Sequence, residues 1–227
     1  NLSITYVNDS VAPPNPSSVS GLNASGGATS LTSGSWYNYS APYFSWSEPT
    51  DTADTGAGES ASGISGYYVY FGTSSSADPA SAGTFQAGTT YTASSLTSGS
   101  TYYLILKTKD NSSNTTATAS TLFTYKYDTT VPTASAFVSV SPSGYSSTNS
   151  FTFLWPSSGA NMASDSDSGI GGYQYKTGAS SGSYSSYSST TASTSVTLSS
   201  VAYQEGVNIF YLRPIDSAGN AGSPVTT

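Results

Sequence analysis

The chain contains no cysteine and no histidine, so thiol catalysis, disulfides, the commonest metal ligand and the side chain best suited to moving protons near neutral pH are all absent. Charge is scarce as well: 7% of the residues are charged, with 5 Lys and Arg against 12 Asp and Glu, a net charge of -7. Phosphate contacts need clustered Lys and Arg, so nucleic acid is excluded as a partner. No run approaches the roughly 18 apolar residues of a membrane span, and no charged-then-apolar signal peptide opens the sequence. The start at Asn1 without Met suggests a processed or excerpted chain. These absences imply a protein that is not an enzyme, with no catalytic residues and no cofactor.

Polarity comes instead from 51 Ser and 31 Thr, 82 of the 227 residues. Such a bias suits disorder, but 13% of the residues are aromatic, 19 of them Tyr and 3 Trp. They recur in short alternating runs, each able to line one face of a sheet, which implies a folded chain. The length allows two domains, each with a core of its own. Without disulfides, stability must come from β packing, and the Ser, Thr, Gly and Tyr bias points outside the cell.

Helical periodicity is nowhere sustained, whereas β-branched and aromatic runs alternate with Gly, Pro, Ser and Asn clusters, the pattern of an all-β sandwich or barrel. The expected strands are 43–46, 66–71, 89–94, 102–109, 121–127, 150–155, 172–176, 193–198 and 208–214. The strongest signal is an internal repeat. Phe44-Ser45-Trp46 answers to Phe153-Leu154-Trp155, an aromatic pair whose inward member fills the space between two sheets. At a constant offset of 106 residues, Ser62-Gly63-Ile64-Ser65-Gly66-Tyr67 answers to Ser168-Gly169-Ile170-Gly171-Gly172-Tyr173, and Asp110 to Asn114 answers to Asp216 to Asn220. The two halves share a fold.

The stretch from Tyr91 to Tyr102, with Leu96 and Gly99 before the closing Tyr, resembles the segment of fibronectin type III domains that leads through a corner tyrosine into the next strand. Tyr102 is the corner tyrosine by that resemblance. The second half, in Glu205-Gly206-Val207-Asn208-Ile209-Phe210-Tyr211 followed by Asp216 and Asn220, is similar to bacterial Ig-like repeats of large surface proteins and filaments. It departs from the pattern where Ile209 stands in the place of the corner tyrosine. The resemblance implies two tandem Ig-like or fibronectin type III-like β-sandwiches, a fold that hosts many unrelated functions.

Asp128-Thr129-Thr130-Val131-Pro132 reads as a hinge between the halves. A second copy lies near the N-terminus, because Tyr6 to Pro13 matches Tyr125 to Pro132 at an offset of 119. What precedes the hinge at Asp128 is the last strand of the first domain, so Leu2 to Val7 should also be the last strand of a domain. After Asn220 only Ala221 to Thr227 remain, whereas 14 residues separate the matching Asn114 from Asp128. The expected organisation is therefore a donor-type strand at 1–8, a complete fibronectin type III-like sandwich at 9–128, and an Ig-like sandwich at 129–227 lacking its last strand. Leu2, Ile4 and Tyr6 alternate with polar Ser3 and Thr5, as an inserted strand requires. An incomplete sandwich exposes an apolar groove and unpaired backbone, and strand addition from a neighbour repairs both. The expected function is a structural subunit of an extracellular surface filament, a head-to-tail homopolymer of copies of itself. The alternative is a stalk or a carbohydrate-binding, adhesive module of a larger surface protein, with exposed Tyr rings stacking on sugars and with glycans or other cells as partners.

Asp51, Asp54 and Glu59 precede the first Ser-Gly-Ile block, and Asp165 and Asp167 the second. Oxygen-rich loops of this kind are candidates for calcium, although the spacing matches no dedicated calcium loop and a solvated acidic loop accounts for it equally. Six asparagines, Asn1, Asn8, Asn23, Asn38, Asn111 and Asn114, stand in Asn-x-Ser/Thr sequons and are glycosylation candidates.

Overall fold

In a computed structural model, residues 8–179, 185–200 and 204–227 are described. Leu2, Ile4, Tyr6 and Asn1 lie outside them. The chain forms two compact units, one comprising the chain up to Ser35 with Tyr39–Tyr127, the other Trp36–Asn38 with Asp128–Thr227. Both are built of antiparallel β-sheets.

The first half contributes β1 (Ser20–Leu22), β2 (Ser30–Leu31), β3 (Trp36–Tyr37), β4 (Tyr43–Ser45), β5 (Ile64–Gly72), a four-residue helix α1 (Pro79–Ala82), β6 (Thr84–Gln86), β7 (Thr90–Thr92), β8 (Ser100–Asp110) and β9 (Ser120–Tyr127). The strands of the first unit form a sheet in the order β2-β1-β4-β7 and a second containing β9-β8-β5-β6. The second half contributes β10 (Ser139–Ser141), β11 (Ser150–Leu154), β12 (Ile170–Ala179), β13 (Ser195–Ser199), β14 (Asn208–Asp216) and β15 (Val225–Thr226), in sheets β10-β11-β13 and β12-β14-β15.

Alternation in the sequence sets which faces are buried. Along β9, Phe123, Tyr125 and Tyr127 point inward while Thr124 and Lys126 are only half-buried. Phe44 of β4 is fully buried and sits at the centre of the first core, with ring centroids 5.0 Å from Phe123 and 5.6 Å from Phe71. In the second core Phe153 of β11 takes the same place, stacked on Phe210 at 3.9 Å and backed by Trp155, Tyr173 and Leu212. The repeated Gly66 and Gly172 each mark a bulge, opposite Lys109 and Ile215, with φ of 154° and 157°. A side chain there would run into the carbonyl oxygen of Gln86 or of Thr191, so glycine is required in both units.

The units differ at their last strand. β9 accompanies β8 from Leu106 to Ser100, whereas β15 accompanies β14 only at Leu212 and Tyr211, with Thr227 closing on Phe210 by two backbone hydrogen bonds of 2.9 and 3.1 Å.

Candidate functional site

Two features stand out, a pair of carboxylate triads and a groove. Asp9, Asp51 and Asp110 converge in the first unit with carboxylate oxygens within 4.8 Å of one another, and Asp128, Asp165 and Asp216 do the same in the second. Each triad joins a hinge residue, a loop residue and the last residue of a long strand. Asp9, Asp110, Asp128 and Asp216 are buried; Asp51 and Asp165 are half-buried.

The two sites match in the bonds of the hinge aspartate and of the clamping asparagine. The Asp9 carboxylate accepts N–H groups from Val11 at 3.2 Å and Ser62 at 2.8 Å; that of Asp128 accepts them from Thr130 at 2.7 Å and Ser168 at 3.2 Å. The Asn114 side-chain amide donates to the Asp9 carbonyl at 2.9 Å and to Asp110 Oδ2 at 2.7 Å. The Asn220 amide donates to the Asp128 carbonyl at 3.0 Å and to Asp216 Oδ2 at 2.7 Å. One asparagine in each unit thus clamps a hinge to the end of a strand.

Electrostatics separate the two sites. Hydrogen bonds from the Ser62 side chain and backbone hold the Asp9 carboxyl below its usual range. Burial pushes the Asp216 carboxyl up, against the bonds from Asn220, and the nearby Asp128 charge adds to the rise. Asp165 Oδ1 accepts three backbone N–H groups, from Asp167, Ser168 and Gly169, while its Oδ2 is buried with no hydrogen-bond donor among the described residues. A set of hard carboxylate oxygens suits a divalent cation such as calcium.

Of the five acids singled out by sequence, Asp51 and Asp165 join the triads and three do not. Asp54 caps the short 3-10 turn Thr55–Ala57. Glu59 accepts bonds from Asn8 and Ser10, and Asp167 from the Thr130 hydroxyl. The acids that sequence reasoning passed over as ligands, Asp9, Asp110, Asp128 and Asp216, were visible as repeated positions in the hinge and in the Asp-to-Asn blocks.

Several sequon amides, whose nitrogen would carry a glycan, are already donors: Asn8 to Glu59, Asn38 to Asn220, Asn111 to the Ser62 carbonyl, and Asn114 within its triad. In Asn23 the side-chain oxygen accepts from the Thr29 N–H.

The corner expected at Tyr102 is present, its hydroxyl accepting the Thr97 N–H at 2.8 Å. In the second unit the repeat places Asn208 at the position of Tyr102, with Ile209 at that of Tyr103, so the departure falls one residue earlier than the sequence reading put it. The Asn208 side chain donates to the Gln204 carbonyl at 2.8 Å and closes the turn by another route.

The groove belongs to the second unit. Beside β14, beyond the reach of β15, a cavity of about 570 Å³ runs over Val140, Phe151, Phe153 and Phe210 and along the segment from Gln204 to Ile209. In the first unit the corresponding space is filled by Phe123 and Tyr125 of β9, which are 4% and 0% exposed.

No protein-family model matches the chain, and no curated protein matches its sequence. Among solved structures it is similar to the FN1-FN3 domains of chicken CNTN1, at 17% identity and a TM-score of 0.46, over 95% of this chain and 66% of that one. It is also similar to the fibronectin(III)-like modules of Clostridium thermocellum CbhA, at 15% identity and a TM-score of 0.44, over 86% of this chain and 87% of that one. Among the described residues, no helix is long and apolar enough to cross a membrane.

Proposed function

We propose that the chain is a non-catalytic structural module of the extracellular surface, its tandem sandwiches joined head to tail with other copies by strand exchange. The observation that carries this reading is the groove beside β14, an apolar trough where the first unit has its last strand. The donor is Leu2 to Tyr6 of another copy. Asp9 reproduces the bonds of Asp128, and Asp128 follows directly on β9. The segment before Asp9 therefore corresponds to a last strand, and its Ile4 and Tyr6 to the buried Phe123 and Tyr125. Domains of 9–128 and 129–227 with a donor segment at 1–8 follow from the same correspondence. Because donor and groove are different parts of the chain, the contact is heterologous and generates open chains.

Sedimentation velocity and negative-stain microscopy of the full chain test this. The expected result is a ladder of assemblies, lost on deleting residues 1–8 while the first unit stays folded; assemblies that persist unchanged after the deletion would sink it.

A second reading concerns the triads: each holds a hard divalent cation that stiffens the hinge. The buried Asp165 Oδ2, with no donor among the described residues and two further carboxylates beside it, favours this. Calorimetric titration should give two sites per chain with calcium, and one site in Asp216→Asn; absence of heat in the wild type removes the reading.

A further inference from the structure

Strand exchange alone leaves the register open, because residues 2, 4 and 6 face the groove in any alignment shifted by two. We propose that the second unit accepts Leu2 to Tyr6 of a second copy in one register, with Ile4 opposite Phe210 and Tyr6 opposite Asn208, and that Thr226 and Thr227 give way to it. The proposal rests on the strand-exchange reading.

Two observations fix the register. The first is the spacing from strand to triad. In the first unit Phe123 pairs with Leu104 and Tyr125 with Tyr102, and Asp128 follows three residues after Tyr125. With Asp9 bonded as Asp128 is, the same spacing brings Ile4 to the place of Phe123 and Tyr6 to that of Tyr125. The partners Leu104 and Tyr102 correspond to Phe210 and Asn208.

The second observation is volume. Gly21 of β1 and Val140 of β10 hold equivalent places, each paired with the central phenylalanine of its core, Phe44 or Phe153. Gly21 makes room for the Phe123 ring: a methyl carbon on Gly21 would lie 3.1 Å from it. In the second unit Val140 fills that room, and Phe210 replaces the smaller Leu104 and stacks on Phe153. Both neighbours of the arriving side chain are larger, so the arriving one must be smaller than phenylalanine. Ile4 meets that condition.

In the competing end-to-end register, Asn1 continues from Thr227, so Leu2 lies opposite Asn208 and Ile4 opposite Gly206. That arrangement keeps the exposed Thr227 at the place of Phe123 and leaves the groove over Val140 and Phe210 without an apolar occupant. Tyr6 supports the first register too. The Tyr125 hydroxyl donates to the Tyr39 carbonyl at 2.6 Å, and Thr148, the counterpart of Tyr39, lines the groove.

The absence of cysteine makes the test direct. Thr5 and Ile209 correspond to the paired Thr124 and Tyr103, neighbours on the outer face of the sheet. Directly opposed residues of this kind lie within disulfide reach. The full-length variant carrying Thr5→Cys and Ile209→Cys should give a ladder of multimers on a non-reducing denaturing gel after mild oxidation. Each single variant should stop at dimers. The variant carrying Asn1→Cys and Ile209→Cys should give no ladder. As a second measurement, Ile4→Phe should weaken assembly roughly tenfold or more by over-packing, and adding Val140→Gly should restore it. A ladder from the Asn1 pair alone overturns the register and leaves strand exchange standing. No ladder from either pair, with assemblies still present in the wild type, also overturns the register. No ladder from either pair together with a monomeric wild type overturns both.

Discussion

Tyr102 lies parallel to Phe71, with ring centroids 5.3 Å apart, while its hydroxyl takes the Thr97 N–H. Removing the hydroxyl leaves the stacking and orphans one part-buried N–H group, a loss of about 1–2 kcal/mol. Tyr102→Phe should lower the stability of the first unit by that amount in denaturant titrations and leave the second unit unchanged. Titratable groups divide the units as well. The Asp216 carboxyl is raised above its ordinary 3.8, so the native second unit binds a proton more readily than the unfolded chain does. The contribution of this group to the unit's stability is therefore fullest below 3.8 and is lost as pH rises through the raised value. The Asp9 carboxyl is lowered, so the first unit keeps that contribution above 3.8 and loses it as pH falls through the depressed value. In the presence of a chelator, acidification from neutral toward pH 3.8 should thus raise the unfolding temperature of the second unit, and further acidification should lower that of the first. Asp216→Asn should remove the rise. The corner was legible in the spacing of Leu96, Gly99 and Tyr102. The triads were legible only in part, since nothing local in the sequence tells which of several nearby acids a fold will bring together.

At the scale of elements, the long strands were readable because apolar residues cluster or alternate over whole runs, continuous from Tyr102 to Leu106 and alternating from Phe123 to Tyr127. The short strands β1, β2, β3, β6, β10 and β15 were not, being two or three residues of mostly small or polar type held by pairing to a neighbour rather than by a pattern of their own. Gly21 illustrates the cost of that blindness: as sequence it reads as a turn residue, and as structure it is the space into which Phe123 fits. Gly21→Val should destabilise the first unit by about 1–3 kcal/mol through over-packing. Adding Phe123→Ile copies the combination offered by Val140 and Ile4 and should recover part of the loss, a coupling that a double-mutant cycle in urea would read directly. Two independent losses that simply add would show that these positions do not share one space.

At the scale of the whole molecule, the first unit has β9 along β8 while the second has a groove beside β14, and the difference sets how the units should respond to a ligand. A free peptide of residues 1–9 supplies the strand without the following sandwich. It can fill a groove but not extend an assembly. Burying the side chains of Ile4 and Tyr6 contributes roughly 1.5–3 kcal/mol each before the cost of ordering the peptide. At a hundredfold excess over its dissociation constant, a ligand that binds only the folded state stabilises it by about 2.7 kcal/mol. Added peptide should therefore raise the unfolding temperature of the second unit, leave the first unit unmoved, and shorten assemblies in proportion to its concentration. A peptide with Ile4 and Tyr6 both replaced by Ser should do none of these. A peptide that stabilises both units equally, or a serine variant as effective as the parent, would mean that binding does not depend on the groove beside β14.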